Sequence, residues 1–189
     1  MSGTAGFAPG FEIADDGWVR GIARVQSPNC DERPPGAAVE LVVLHGISLP
    51  PGKFGGDDVE RLFTNTLSTD SHPYSPQLVG LRVSAHFFVR RDGGVVQFVS
   101  CLRRAWHAGL SEWCGRARCN DFSVGIELEG TDFVPYELQQ YVACNALLRA
   151  IYRAFPVRAV TGHSDIAPGR KTDPGPFFDW SLIEGPPRR

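Results

Sequence analysis

The sequence predicts a single α/β domain with a central mixed β-sheet flanked by helices. Three observations carry this. Short β-rich runs alternate with helical stripes along the chain, in an order that combines a hairpin with crossovers. The 189 residues are 42% hydrophobic with a formal charge of −2, enough to bury one core and too apolar to stay disordered. No repeat, low-complexity block or linker divides the chain. Residues 1–12, rich in Gly, Ser, Ala and Pro, read as a flexible N-terminal tail, and 13–189 as the domain.

The elements follow in order. Gly17–Val25 has room for a short strand, and Ser27–Ala37 reads as a loop punctuated by Pro28, Pro34, Pro35 and Gly36. Glu40–His45 (ELVVLH) is a buried strand ending at a histidine, followed by a Gly/Pro loop at 47–56. Asp57–Leu67 reads as a helix: Asp57 and Glu60 have capping-box spacing, and Val59, Leu62, Phe63 and Thr66 form a stripe. A polar loop, Ser68–Gly80, comes next. Arg82–Arg90 and Gly94–Ser100 are strands around Asp92-Gly93, a hairpin signal. Trp106–Asp121 has no clean period and reads as a loop. Phe122–Glu129 alternates strictly, with Ser123, Gly125, Glu127 and Glu129 on its polar face. Pro135–Phe155 is the clearest helix, its stripe running through Leu138, Tyr141, Val142, Asn145, Leu148, Ile151, Tyr152 and Phe155. Arg158–Gly162 is a short strand, and His163–Trp180 is loop-like.

Composition excludes several functions. The near-neutral charge gives no bulk field for nucleic acid or anionic lipid. No apolar run approaches the ~20 residues of a membrane span. The first ten residues lack a basic patch and an apolar stretch, so no secretory signal is read and the expected compartment is the cytoplasm. The five cysteines are then expected as thiols; Cys114 and Cys119 have no second pair to complete a zinc ribbon. Of 19 basic residues only Lys53 and Lys171 are lysine, a hint that a compact ammonium is wanted where arginine will not serve.

Three features bear chemistry. His45 closes a buried strand. Glu127 has Gly125 and Ser123 at i−2 and i−4, small side chains that leave space beside its carboxylate. His163, Lys171 and Asp173 crowd one segment, GHSDIAPGRKTDPGP. Composition alone makes His72, His86 and His107 as eligible as His45, and periodicity makes Glu129 as eligible as Glu127. No short zinc signature such as H-E-x-x-H is present. The combination is more specific. A catalytic zinc takes three His or carboxylate ligands and keeps one open position, which His45, His163 and Asp173 can supply if the strand end meets the C-terminal loop.

At these residues the chain resembles the AmpD-type N-acetylmuramoyl-L-alanine amidases, which share a fold with peptidoglycan-recognition proteins and T7-lysozyme-type amidases. The likeness runs in order through LVVLHGISLPPGKFGG, LRVSAHFFVRRDGGVVQFV, RAWHAG, GRARCNDFSVGIELEGTDF and TGHSDIAPGRKTDPGPFFDW, from about Gly17 to Leu182. It implies one zinc ion held by His45, His163 and Asp173, with Glu127 as acid/base and Lys171 as catalytic lysine. It implies substrate contacts at Trp106, His107, Arg118 and Arg82. The implied substrate is an anhydro-muropeptide cleaved between N-acetylmuramic acid and L-alanine during cytoplasmic peptidoglycan recycling, with an effect of its loss on β-lactamase induction and no protein partner. One departure is visible: the family commonly has asparagine after the first histidine, where this chain has Gly46. Two rival classes remain. One is a recognition module that binds muropeptide without cutting it; the other is a cysteine peptidase using Cys114 or Cys119.

Overall fold

The computed structural model describes residues 10–70 and 72–185. Among the described residues there are ten strands: β1 Ala23–Arg24, β2 Cys30–Glu32, β3 Leu41–Ile47, β4 Phe87–Val89, β5 Val95–Gln97, β6 Arg103–Ala105, β7 Glu112–Trp113, β8 Arg116–Ala117, β9 Ser123–Glu129 and β10 Ala159–Gly162. The same residues form three α-helices: α1 Asp58–Phe63, α2 Leu138–Ala154 and α3 His163–Ile166. Six strands form the central sheet in the order β1-β5-β4-β9-β3-β10. β4, β9, β3 and β10 run parallel, while β5 lies antiparallel to β4 and carries β1 alongside it. The sheet is therefore mixed, as the alternation of elements predicts.

Both faces of the sheet are covered. On one, Val42, Leu44, Val124, Ile126 and Leu128 pack against Tyr141, Cys144, Leu147, Leu148 and Ile151 of α2. On the other, Phe88, Val96 and Phe98 meet Val59, Leu62 and Phe63 of α1. Leu41 and Val43 pack on Ala159, Phe122 and Ile166 on that same face. Leu44, Ile126 and Leu128 have no exposed surface, and burial of each contributes roughly 1.5–3 kcal/mol. Val42 and Val43 are β-branched and both buried, as suits a parallel strand sandwiched between layers.

Several expectations are corrected. Phe11 already packs against the core and its carbonyl accepts from Arg153, while residues 1–9 of the expected tail lie outside the described residues. The strand in Gly17–Val25 shrinks to β1 plus a bridge between Ile13 and Val19. The supposed loop Ser27–Ala37 holds β2, paired with β6, where Arg104 grips Asp31 at 2.6 and 2.5 Å. α1 has six residues, and Asp57 makes no side-chain cap. Glu60 turns instead to Arg90, because a guanidinium from the hairpin offers a stronger partner than one backbone amide. The loop 106–121 contains the β7–β8 ribbon and ends in the 3₁₀ turn Cys119–Phe122. On α2 the stripe holds at Tyr141, Asn145, Leu148 and Ile151, which are buried, but the buried face is rotated so that Leu138 and Val142 are exposed and Cys144 and Leu147 buried. His163–Ile166, expected as loop, is α3.

The β4–β5 hairpin turns at Asp92-Gly93 as expected, but its strands, three residues each, are shorter than the expected Arg82–Arg90 and Gly94–Ser100. Gly93 adopts φ +83°, which only glycine takes without strain, and the Asp92 side chain accepts from Gly94 N at 2.8 Å.

Candidate metal centre

Register brings the site together. β10 lies beside β3 with Gly162 opposite Leu44, so His163, the next residue, comes level with His45. β9 lies on the other side of β3 with Glu127 opposite His45. All three strands are parallel, so these residues gather at their carboxyl ends, where open α/β sheets hold ligands. The turn at 172–175 then folds back: Ser164 N donates to the Asp173 carbonyl at 2.9 Å and Gly175 N to the Thr172 carbonyl at 3.0 Å.

Three side-chain atoms meet. His45 Nδ1 is 2.9 Å from His163 Nδ1 and 3.2 Å from Asp173 Oδ2, and His163 Nδ1 is 3.0 Å from the same oxygen. Among the described residues this trio forms a group able to hold a metal ion. Two corners of a zinc tetrahedron with bonds of ~2.0–2.1 Å lie about 3.3–3.4 Å apart, so the triangle is close to ligand spacing.

The hydrogen bonds around the trio set its tautomers. His163 Nε2 faces the Ala108 carbonyl at 3.2 Å, which only accepts, so Nε2 carries the proton and Nδ1 a lone pair. For His45 the proof is longer. Ser123 Oγ donates to the Cys119 carbonyl at 2.6 Å. It therefore accepts from His107 Nε2 at 3.1 Å, which leaves His107 Nδ1 to accept from His45 Nε2 at 2.9 Å. His45 Nδ1 is then also a lone pair. Two imidazole lone pairs and a carboxylate point at one spot, an arrangement that a cation relieves. Burial works against a proton there, holding the His45 pKa down at about 4. Burial also lowers His107, with the neighbouring imidazoles adding to the effect. Against its own burial, Asp173 is held far below the carboxylate range by His163 and His45.

The two candidate glutamates differ. Glu129 accepts from Gly55 N at 2.5 Å and Arg91 N at 3.1 Å, pinning the loop after β3. Glu127 Oε2 is buried with no hydrogen-bond partner. Burial, then the Asp173 charge, pushes the Glu127 carboxyl well above its usual range, and Lys171 pulls it down. A buried, unpartnered carboxylate oxygen beside converging lone pairs is what a water-activating ion requires, so the residues fit zinc.

The other expected residues fall as follows. Lys171 is exposed, with its charge acting on Glu127 and His45. Trp106 is half-buried and shares Asp31 with Arg104. Arg118 is exposed, at φ +64°, and pairs with Asp121 at 3.2 Å. Arg82 is exposed on the segment leading to β4. His107, expected to contact substrate, lies against β9: a Cβ on Gly125 would come within 2.5 Å of its ring. The space beside Glu127 is thus filled by imidazole. Ser123 and the Ala108 carbonyl escaped the sequence reading. The small residues at 123 and 125 were the available signal, but they make room for a ring rather than a groove. Neither Cys114 nor Cys119 belongs to the trio, and burial raises the Cys119 thiol pKa.

A family model described as N-acetylmuramoyl-L-alanine amidase matches residues 35–176. The chain is 52% identical over 171 residues to the 1,6-anhydro-N-acetylmuramyl-L-alanine amidase AmpD of Escherichia coli (strain K12), covering 89% of this chain and 93% of that protein. A crystal structure of a selenomethionine AmpD derivative superposes with TM-score 0.87 at 50% identity, over 90% of this chain and 98% of that one. The amidase AmiD of E. coli, in complex with anhydro-N-acetylmuramic acid-L-Ala-D-γ-Glu-L-Lys, gives TM-score 0.58 at 28% identity, over 93% of this chain and 67% of that one. The fold alone extends to the peptidoglycan-recognition protein PGRP-SA of Apis mellifera, with TM-score 0.60 at 14% identity over 88% of this chain and 99% of that one.

Proposed function

The chain belongs to the N-acetylmuramoyl-L-alanine amidase family, and from that premise we propose that it hydrolyses the amide between 1,6-anhydro-N-acetylmuramic acid and L-alanine in muropeptides. In this reading His45, His163 and Asp173 hold one zinc ion, Glu127 is the acid/base and Lys171 the charge-stabilising lysine. The observation that carries it is the convergence of two Nδ1 lone pairs and a carboxylate oxygen beside the unpartnered Glu127 Oε2.

Zinc, when bound, supplies Lewis acidity and a water whose pKa falls to about 7 from nearly 16. The rest is done by the chain. Glu127 Oε2 takes a proton as water adds to the lactyl carbonyl. Burial and then the Asp173 charge raise the Glu127 carboxyl, and the Lys171 ammonium acts the other way, toward the ionised form that a base requires. The same ammonium offsets the charge developing on the carbonyl oxygen. Glu127 returns the proton to the departing amine as the C–N bond breaks, leaving a lactyl carboxylate and a peptide with a free L-alanine amine. Trp106 offers an apolar face to the sugar, and Arg118 and Arg82 offer guanidinium forks to peptide carboxylates. The same reading places the protein in cytoplasmic peptidoglycan recycling, with loss of activity raising anhydro-muropeptide levels and affecting β-lactamase induction.

The deciding experiment pairs metal analysis of the purified protein with cleavage of a defined anhydro-muropeptide. One zinc per chain and release of free peptide are expected, with activity removed by a chelator, restored by zinc and indifferent to a thiol alkylator. A zinc-loaded protein that retains the muropeptide intact would make it a recognition module.

A further inference from the structure

We propose that Tyr136 is a positioning residue for the metal centre, its hydroxyl fixing the turn that presents Asp173. This rests on the amidase reading above. Asp173 stands on a turn outside the sheet, unlike His45 in β3 and His163 at the head of α3. Something other than strand pairing must set its carboxylate. The Tyr136 hydroxyl donates to the carbonyl of Pro174, the next residue, at 2.9 Å. The Ser164 amide holds the Asp173 carbonyl itself at 2.9 Å, so the successive carbonyls of Asp173 and Pro174 are each held, one from α3 and the other from the segment before α2.

The surroundings are shaped for this tyrosine. A Cβ at Gly46 would fall 2.3 Å from its hydroxyl, and a Cβ at Gly130 2.3 Å from its ring. Gly46 follows His45 directly and Gly130 follows β9, so two strand ends flanking the site both lack a side chain where the phenol passes. Edge contacts with Phe178 and Tyr141 hold the other side of the ring. Tyr136 is 6% exposed, so its hydroxyl has little access to water as an alternative partner. The departure at position 46 acquires a physical role: the absent side chain leaves the space that the hydroxyl occupies on its way to Pro174.

The test is a double-mutant cycle read by zinc affinity, kcat and KM. Tyr136→Phe keeps the ring and removes only the hydroxyl. It should weaken zinc binding, measured by competition with a chromophoric chelator, by about tenfold or more, the lower end for loss of an outer-shell partner. kcat should fall with KM within about twofold, and the melting temperature of the metal-free protein should change little, a split that loss of packing would not produce. Gly46→Ala should cost similar zinc affinity in the Tyr136 background, by displacing the hydroxyl, and much less in the Tyr136→Phe background, where that atom is gone. Wild-type zinc affinity in Tyr136→Phe overturns the proposal, as does an equal cost of Gly46→Ala in both backgrounds. A wild-type protein that neither binds zinc nor releases peptide overturns the amidase reading first, and this role with it.

Discussion

His45 and Glu127 are register partners across β3 and β9, so an imidazole and a carboxylate stand side by side on one face of the sheet. Directly paired residues of parallel strands point the same way, and both lie near the carboxyl ends of their strands. Glu129, paired with Ile47 two steps on, shares the face but reaches the loop amides of Gly55 and Arg91 instead. Two residues of register thus separate a glutamate with an unpartnered oxygen from one consumed by structure. The following outcomes are expected from that arrangement.

Glu127→Gln should retain zinc and lose turnover. Gln cannot take the proton, and general-base contributions are typically about 10²–10⁴-fold, so kcat should drop at least ~100-fold with KM little changed. Metal analysis alongside steady-state kinetics checks it. A kcat near wild type would show the base to be elsewhere.

Asp173→Ala and His163→Ala should lose zinc and activity together. Each leaves two ligands where a catalytic ion needs three from the protein. Zinc stoichiometry after dialysis is the measurement, and stoichiometric zinc in either variant would remove that residue from the ligand set.

Ser123→Ala should act at a distance. Without the hydroxyl, His107 Nε2 loses its acceptor at 3.1 Å and the tautomer that offers Nδ1 to His45 is no longer enforced. Zinc affinity should fall by about tenfold, with the fold retained by circular dichroism. Unchanged affinity would show that the Cys119–Ser123–His107–His45 chain does not orient the ligand.

Acid should destabilise the metal-free protein earlier than carboxylate titration alone would. Burial, with the Arg33 guanidinium beside it, lowers His86 to about 3, and burial lowers His45 to about 4. Unfolded histidine titrates near ~6.5. Between those values the unfolded chain binds protons that the folded chain does not. Stability is therefore fully present above pH ~6.5 and is lost as pH falls toward 4, by roughly 1.4 kcal/mol per pH unit for each such histidine. Denaturant midpoints of chelator-treated protein at several pH values test this, and a flat profile from pH 6.5 to 4.5 would contradict it.

Much of the fold was legible because local patterns spoke for it: ELVVLH as a buried strand, Asp92-Gly93 as a hairpin turn, FSVGIELE as a strand and 135–155 as a helix. The misses have particular causes. β2 and β6 pair three residues each across a long stretch of chain, stabilised by Asp31 and Arg104, which no local period announces. Asp57 and Glu60 have capping spacing, but Arg90 arrives from the hairpin and takes the glutamate. Leu138 and Val142 fit a helical stripe, yet α2 is rotated so that Cys144 and Leu147 face the sheet.

For the site the division is sharper. Residue types and their order along the chain offered His45, His163 and Asp173 as one possible ligand set among several histidines, and the resemblance to the amidases singled it out. Parallel pairing then put Gly162 opposite Leu44 and Glu127 opposite His45, placing His163 level with its partner and separating Glu127 from Glu129. The same packing set His107 against Gly125 and the Tyr136 hydroxyl beside Gly46. Proximity, tautomer and the direction of a lone pair depend on neighbours distant in the chain, so folding alone decided them.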